Sequence, residues 1–205
     1  MTTYRAQPKT HRHVERGDDF YATPPEAVRA LLSVYQPPHH IWEPACGDGA
    51  IVNVLRTAGY KMLASDLNDW GCPDSSSRVD FLMERGAPPQ YRCIITNPPY
   101  RLAEQFIAHA LRLVPETAML CRLAFLESTR RTQLLERSGL HRVIVFRDRL
   151  PMMHRYGWSG PKNSSSTAFA WFCWRRGYTG LPKLLRVSAA DFHTGLPAAV
   201  QEAAE

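Results

Sequence analysis

From residue 40 to residue 146 the sequence alternates short apolar runs with amphipathic helical patterns, and this alternation confines the chain to folds built on a largely parallel sheet. The pattern predicts strands over 40–43, 61–66, 79–82, 92–96, 117–123 and 142–146, with helices over 49–58, 102–113 and 128–138. An earlier helix opens at Thr23-Pro24-Pro25-Glu26, which has the form of a capping box with proline in the first turn, and Pro37-Pro38 stops it. A polar loop over 147–166 breaks the rhythm before a strongly apolar strand over 167–174, and 183–188 can add an edge strand. Parallel neighbours need crossover connections, which the helical stretches supply. The expected architecture is therefore α/β: a doubly wound, mostly parallel sheet of about seven strands with helices on both faces.

A chain of 205 residues suffices for one such domain. Residues 18–188 are expected to form it, between a basic arm over 1–17 (Arg5, Lys9, His11, Arg12, His13, Arg16) and a tail over 189–205. Twenty-five Lys and Arg against nineteen Asp and Glu leave a net charge of +6, which favours a polyanionic partner. The five cysteines are scattered without a C-x-x-C pair, so neither a disulfide framework nor a zinc site is indicated and no metal is expected. His11-x-His13 and His39-His40 lack plausible partner ligands. No apolar run approaches the roughly 18 residues of a membrane span, and the expectation is a soluble cytoplasmic protein with no membrane partner.

Asn97-Pro98-Pro99-Tyr100 follows the apolar run Cys93-Ile94-Ile95-Thr96 at a predicted strand end. Its groups suit a planar amine: Asn97 offers a side-chain carbonyl, the two prolines stiffen the backbone and remove N–H donors, and Tyr100 supplies an aromatic face. Where the first strand turns into its helix stands Trp42-Glu43-Pro44-Ala45-Cys46-Gly47-Asp48-Gly49, the position at which doubly wound sheets bind nucleotides. Gly47 and Gly49 allow the backbone close to a ligand. This loop lacks the G-x-G-x-x-G fingerprint, and Glu43 and Asp48 stand where a pyrophosphate would want positive potential. An ammonium and a sulfonium without phosphate suit it better, which points to S-adenosylmethionine. Asp66, followed by Leu67, ends the next strand where an acid commonly takes ribose hydroxyls. Asp80 is predicted to end the third strand and accept from an adenine amino group, with Phe81 or Leu82 packing on the ring.

On these residues the chain resembles a class I S-adenosylmethionine-dependent methyltransferase of the family that modifies adenine N6 in DNA. The resemblance covers roughly residues 18–175 and rests on Asp19-Phe20-Tyr21-Ala22-Thr23-Pro24, Glu43 to Gly49, Asp66, Asp80-Phe81 and Asn97 to Tyr100. It implies a Rossmann-like methyltransferase fold in which Tyr21 and Thr23 help hold the methionine end of the cofactor, over Glu43 and the Ala45–Gly47 backbone. It further implies catalysis by Asn97, Pro98, Pro99 and Tyr100 on a base extruded from the duplex. The motif order is similar to the γ-type arrangement, and compact enzymes of this kind are similar to phage or prophage proteins that act without a paired nuclease. Members usually add a recognition domain, whereas only residues 175–205 follow the apolar strand here.

In the 147–166 loop Arg147, Arg149, His154, Arg155, Tyr156, Trp158 and Lys162 interleave cations with aromatic rings, a mixture suited to phosphate contact and base stacking. The same residues could instead cover the sheet edge. Trp171 and Trp174, three apart in a strand, point to opposite faces, so at least one belongs to the core. DNA is the expected partner. An exocyclic amine of RNA or a protein glutamine amide would present a comparable planar –NH2, and a non-catalytic nucleic-acid-binding protein is the reading of another class.

Overall fold

The computed structural model describes residues 21–152 and 166–193. Seven strands, β1 (His40–Glu43), β2 (Lys61–Ala64), β3 (Cys93–Thr96), β4 (Glu116–Arg122), β5 (Leu140–Phe146), β6 (Phe169–Arg175) and β7 (Lys183–Val187), form one sheet in the order β2-β1-β3-β4-β6-β5-β7. The pairings are parallel except those of β6, which runs antiparallel to β4 and β5. Among the described residues four α-helices accompany the sheet: α1 (Pro25–Leu32), α2 (Ala50–Thr57), α3 (Ala103–Leu113) and α4 (Thr132–Glu136). The predicted class is the observed one.

Successive residues of each central strand enter different core layers, as a sheet covered on both faces requires. Ile41, Ile95, Leu120 and Trp171 pack with Leu31 of α1 and Leu55 of α2, while Trp42, Ile94, Met119 and Phe172 pack with Phe106 and Ile107 of α3. Trp171 and Trp174 are both fully buried, one in each layer. The Trp171 indole N–H donates to the Ala27 carbonyl at 2.9 Å and that of Trp174 to the Leu134 carbonyl at 2.8 Å, so each ring is buried with its donor satisfied.

Several predicted elements take another form. Residues 79–82 are not a strand: Asp80 accepts from the Leu82 N–H at 3.0 Å and opens a 3-10 turn over Phe81–Met83. Asp74 and Arg78 take positive φ just before it, and beside β2 only the bridge Ser65–Ser76 forms. The local Asx hydrogen bond thus wins over an edge position. The helix expected over 128–138 is split into a 3-10 turn, Thr129–Arg131, and the short α4. Thr23 does not cap α1. Pro24 takes the N-cap position without a side-chain cap, and its carbonyl accepts from Ala27 N–H at 2.9 Å.

The tail expected from 189 begins with a 3-10 turn, Ala189–Phe192, that buries Ala189 and Phe192 and is held by Arg29, whose guanidinium donates to the Phe192 carbonyl at 2.9 Å. Leu150 and Met152, expected within the polar loop, are buried in the α1-side core. The arm over 1–17, His154, Arg155, Tyr156, Trp158 and Lys162 lie outside the described residues. Among the described residues no helix is long and apolar enough to cross a membrane.

Trp171 makes the packing testable. Trp171→Phe, which removes the hydrogen bond to α1, is expected to lower the unfolding free energy by roughly 1–2 kcal/mol, and Trp171→Ala by roughly 3–5 kcal/mol, read from urea unfolding.

Candidate active site

The carboxyl ends of β1, β2 and β3 share one edge of the sheet, and the segments leaving them enclose a cavity of about 300 Å³. Its wall is built from Tyr21 to Thr23, the Glu43–Cys46 turn with Asp48, the Asp66–Asn68 segment with Trp70, Val79 to Leu82, and Asn97 to Tyr100. The residues read from sequence as cofactor or catalytic groups thus converge on a single space. Gly47 and Gly49 are the exceptions: they shape the turn without lining the cavity.

That turn is held by local chemistry. Gly47 and Gly49 take φ of 54° and 85°, in the region that favours glycine. At Gly49 a Cβ would also meet the Cys72 sulfur at 2.8 Å. The Gly47 N–H donates to Asp66 Oδ2 at 2.9 Å, and the Asn68 N–H donates to Asp66 Oδ1 at 2.9 Å. Asp66 therefore ties the end of β2 to the turn after β1 and is largely buried in doing so. Ala50 N–H donates to Asp48 Oδ1 at 3.1 Å, which starts α2.

Glu43 is fully enclosed, and its Oε2 has no hydrogen-bond partner among the described residues. Burial holds its carboxyl well above the ordinary carboxylate range; Asp66 and then Asp48 push in the same direction, against a backbone contact from Val52. The same burial raises the Cys46 thiol, with Glu43 adding to the effect, so this cysteine is no thiolate nucleophile. Glu43, Asp48, Asp66 and Asp80 line the cavity, and among the described residues no Lys, Arg or His does. In a chain of net charge +6 this is a strongly selective electrostatic field. It repels phosphate and attracts a cation.

At the β3 end of the cavity the Asn97 side-chain N–H donates to the Tyr21 carbonyl at 3.3 Å. This fixes the amide orientation, since the reverse would set two carbonyl oxygens against each other. Asn97 Oδ1 is left buried with no hydrogen-bond partner among the described residues. An orphaned buried acceptor costs about 1–3 kcal/mol, so the arrangement favours a donor entering from the cavity. Tyr100 stacks on Tyr21 with ring centroids 5.6 Å apart and 19° between planes, and Phe169 packs on Tyr100 at 5.8 Å. The Arg122 guanidinium lies over the Tyr100 ring, 4.6 Å from its centroid.

Other predicted residues are placed differently. Asp80 is exposed and spends one oxygen on its own turn, while Phe81 is wedged among Trp42, Phe106 and His109 and presents a wall. Leu67 is 58% exposed at the rim. Arg147 pairs with Asp191 at 3.2 Å and Arg149 is exposed, both beyond the end of β5 and outside the cavity wall. Sequence reasoning missed Trp70 and Asn68, which line the cavity, and Arg122, which lies over the Tyr100 ring outside the wall. Trp70 had a legible signal, an aromatic residue four positions beyond a strand-terminal acid. Among the described residues no group of three or more His, Cys, Asp or Glu is placed to hold a metal ion.

Solved structures share this fold at low identity. A type I restriction-modification system methyltransferase subunit from Streptococcus thermophilus matches with a TM-score of 0.59 at 14% identity, over 92% of this chain and 53% of that one. A modification subunit assigned to a type I restriction enzyme from Vibrio vulnificus matches with a TM-score of 0.56 at 15% identity, over 82% and 47%. A Listeria monocytogenes protein assigned to the class I S-adenosylmethionine-dependent methyltransferases gives 0.53 at 13%, over 81% and 65%. The chain spans about half the length of the first two. No protein family and no curated protein sequence matches it. The likeness establishes the Rossmann-like methyltransferase fold.

Glu43 supplies a stability test with a definite sign. Its pKa is higher folded than unfolded, so the folded protein binds more protons, and stability falls as pH rises from the unfolded pKa through the folded one. Glu43→Gln, neutral throughout, should raise the unfolding midpoint of the ligand-free protein at neutral pH. The gain should shrink as pH falls into the ordinary carboxylate range, as thermal unfolding across pH will show.

Proposed function

We propose that this protein is an S-adenosylmethionine-dependent methyltransferase acting on the exocyclic N6 amine of adenine in DNA. The observation that carries the reading is Asn97, oriented by the Tyr21 carbonyl so that its buried Oδ1 awaits a donor within the cavity. The acidic, phosphate-averse wall and the methyltransferase fold support the cofactor.

Glu43, whose Oε2 is buried and unpartnered, and the Ala45–Gly47 turn would sit beneath the methionine end, with Tyr21 and Thr23 beside it. Asp66 retains lone-pair capacity for ribose hydroxyls after accepting from Gly47 and Asn68. Leu67, Trp70 and Leu82 would flank the adenine, near the outer oxygen of Asp80. When bound, S-adenosylmethionine supplies an electrophilic methyl group on a sulfonium.

The chain's own residues then deal with a weak nucleophile. The lone pair of an aromatic amine is delocalised into its ring. Asn97 Oδ1 accepting one N–H and the Pro98 carbonyl accepting the other would draw the nitrogen toward sp³ character and stabilise the positive charge it develops. Pro98 and Pro99 fix that carbonyl, since neither can donate or rotate freely. Tyr100, braced by Tyr21, would hold the extruded base in plane. No strong base is needed, because the proton leaves after the nitrogen has become cationic.

Expression in a methylation-free host, with N6-methyladenine mapped in both DNA and RNA, tests this directly. DNA from cells carrying the wild-type chain should contain the mark. Asn97→Ala should lower transfer by about a hundredfold or more while purified protein keeps its S-adenosylmethionine affinity within a few-fold. A mark confined to RNA, or in neither polymer, would reject the DNA reading, and lost cofactor binding in Asn97→Ala would make Asn97 a structural residue.

A further inference from the structure

Arg122 is the last residue of β4 and the exposed end of a strand whose five preceding residues are buried. Its cross-strand partner is Phe169, the first residue of β6, so the two side chains leave the same face of the sheet. Both reach Tyr100: Phe169 from the buried side at 5.8 Å, and Arg122 with its guanidinium over the ring at 4.6 Å.

Several other arginines are held by carboxylates. Arg130 and Arg131 pair with Glu104 at 2.7 and 2.8 Å, Arg147 with Asp191 and Arg175 with Glu116. Arg122 makes no ion pair among the described residues. A planar cation thus lies on the ring that borders the Asn97 acceptor, at a separation that leaves no base-thick gap. Any planar substrate stacking on that face must displace it. Stacking between an aromatic ring and a nucleobase is stronger than an exposed cation–ring contact, so the exchange favours the base. The guanidinium is itself a surface on which bases stack, and its flexible stem lets it move outward by the thickness of a ring.

We propose that Arg122 is a positioning residue that reserves the face of Tyr100 in the free protein and then stacks on the outer face of the entering base, forming a Tyr100–base–Arg122 sandwich. This rests on the amine-methylating reading of the Asn97 site and deepens it. A slot between the Tyr100 ring and a guanidinium that can lie flat on a base fits a nucleobase, whereas a glutamine amide offers too small a plane to fill it. The role is steric and orienting: Arg122 moves no proton and touches no reacting atom.

The test uses the full chain saturated with S-adenosylhomocysteine, which fills the cofactor end, and titrates adenosine and adenosine 5′-monophosphate by NMR. Arg122→Ala should weaken both ligands by about tenfold, the loss of one stacking surface, and leave S-adenosylhomocysteine affinity unchanged. Arg122→Lys should not restore either, because it keeps the charge and lacks the plane. Adenine proton resonances should show less upfield ring shift in both variants.

Equal adenosine affinity in wild type and Arg122→Ala would overturn the sandwich, as would tighter binding in that variant, which would make the guanidinium a mere plug. So would recovery of the monophosphate alone by Arg122→Lys, which would make it a phosphate ligand. A wild-type protein that binds the cofactor product but neither adenosine nor its monophosphate would overturn the nucleobase reading itself, and the Arg122 role with it.

Discussion

The parallel register of β1, with β2 on one side and β3 on the other, sets where everything else can be. Trp42 lies level with Leu63 and Ile94, so the three strands finish together and Glu43, Ser65 and Asn97 leave the sheet at one edge. Parallel strands cannot close with short hairpins, and the chain after each must cross a face before returning. The turns are therefore forced to this edge, where their backbone groups seek partners. Ser65 N–H donates to the Glu43 carbonyl, Cys46 N–H to the Ser65 carbonyl, and Gly47 N–H to Asp66. The cavity is the space these ties leave open.

Electrostatics then decide what belongs in that space. Four acidic side chains line it, one of them wholly buried, with no basic side chain opposite among the described residues. Burial holds the Glu43 carboxyl above the ordinary carboxylate range, the direction that lessens the cost of enclosing it without a cation. A cationic ligand would reverse that balance, and a dinucleotide would face repulsion from every side. Outside the cavity, Arg122 at the end of β4 and Arg149 beyond the end of β5 are exposed.

Legibility in the sequence followed the range of the interactions. The central strands and α3 were readable because burial on two faces leaves long apolar runs and a regular helical stripe. Residues around Glu43, Asp66 and Asn97 were readable because each stands at a strand end, where chain order alone brings it to the site. Asp80 was misplaced because the competition between an edge strand and an Asx-capped turn is decided by one hydrogen bond. Leu150 and Met152 looked like loop residues because their apolar partners on the α1 side are remote in sequence. Arg122 gave no signal for the same reason, since its relation to Tyr100 exists only through the pairing of β4 with β6.

Tyr21 joins the two halves of the site. Its carbonyl receives the Asn97 amide, its ring stacks on Tyr100, and Tyr21, Ala22 and Thr23 wall the cavity beside Glu43 and Asp48. The segment that would hold the methionine end of a cofactor is thus the segment that orients the amine acceptor. A displacement of Tyr21 would release the Asn97 amide to rotate and remove the brace behind Tyr100 in the same movement. On the proposed function, cofactor occupancy and acceptor geometry would be coupled through one residue's backbone and one ring. That coupling explains why Thr23 faces the cavity and leaves the start of α1 uncapped: the segment's hydrogen-bonding groups serve the site, and Pro25, which needs no N–H partner, starts the helix instead.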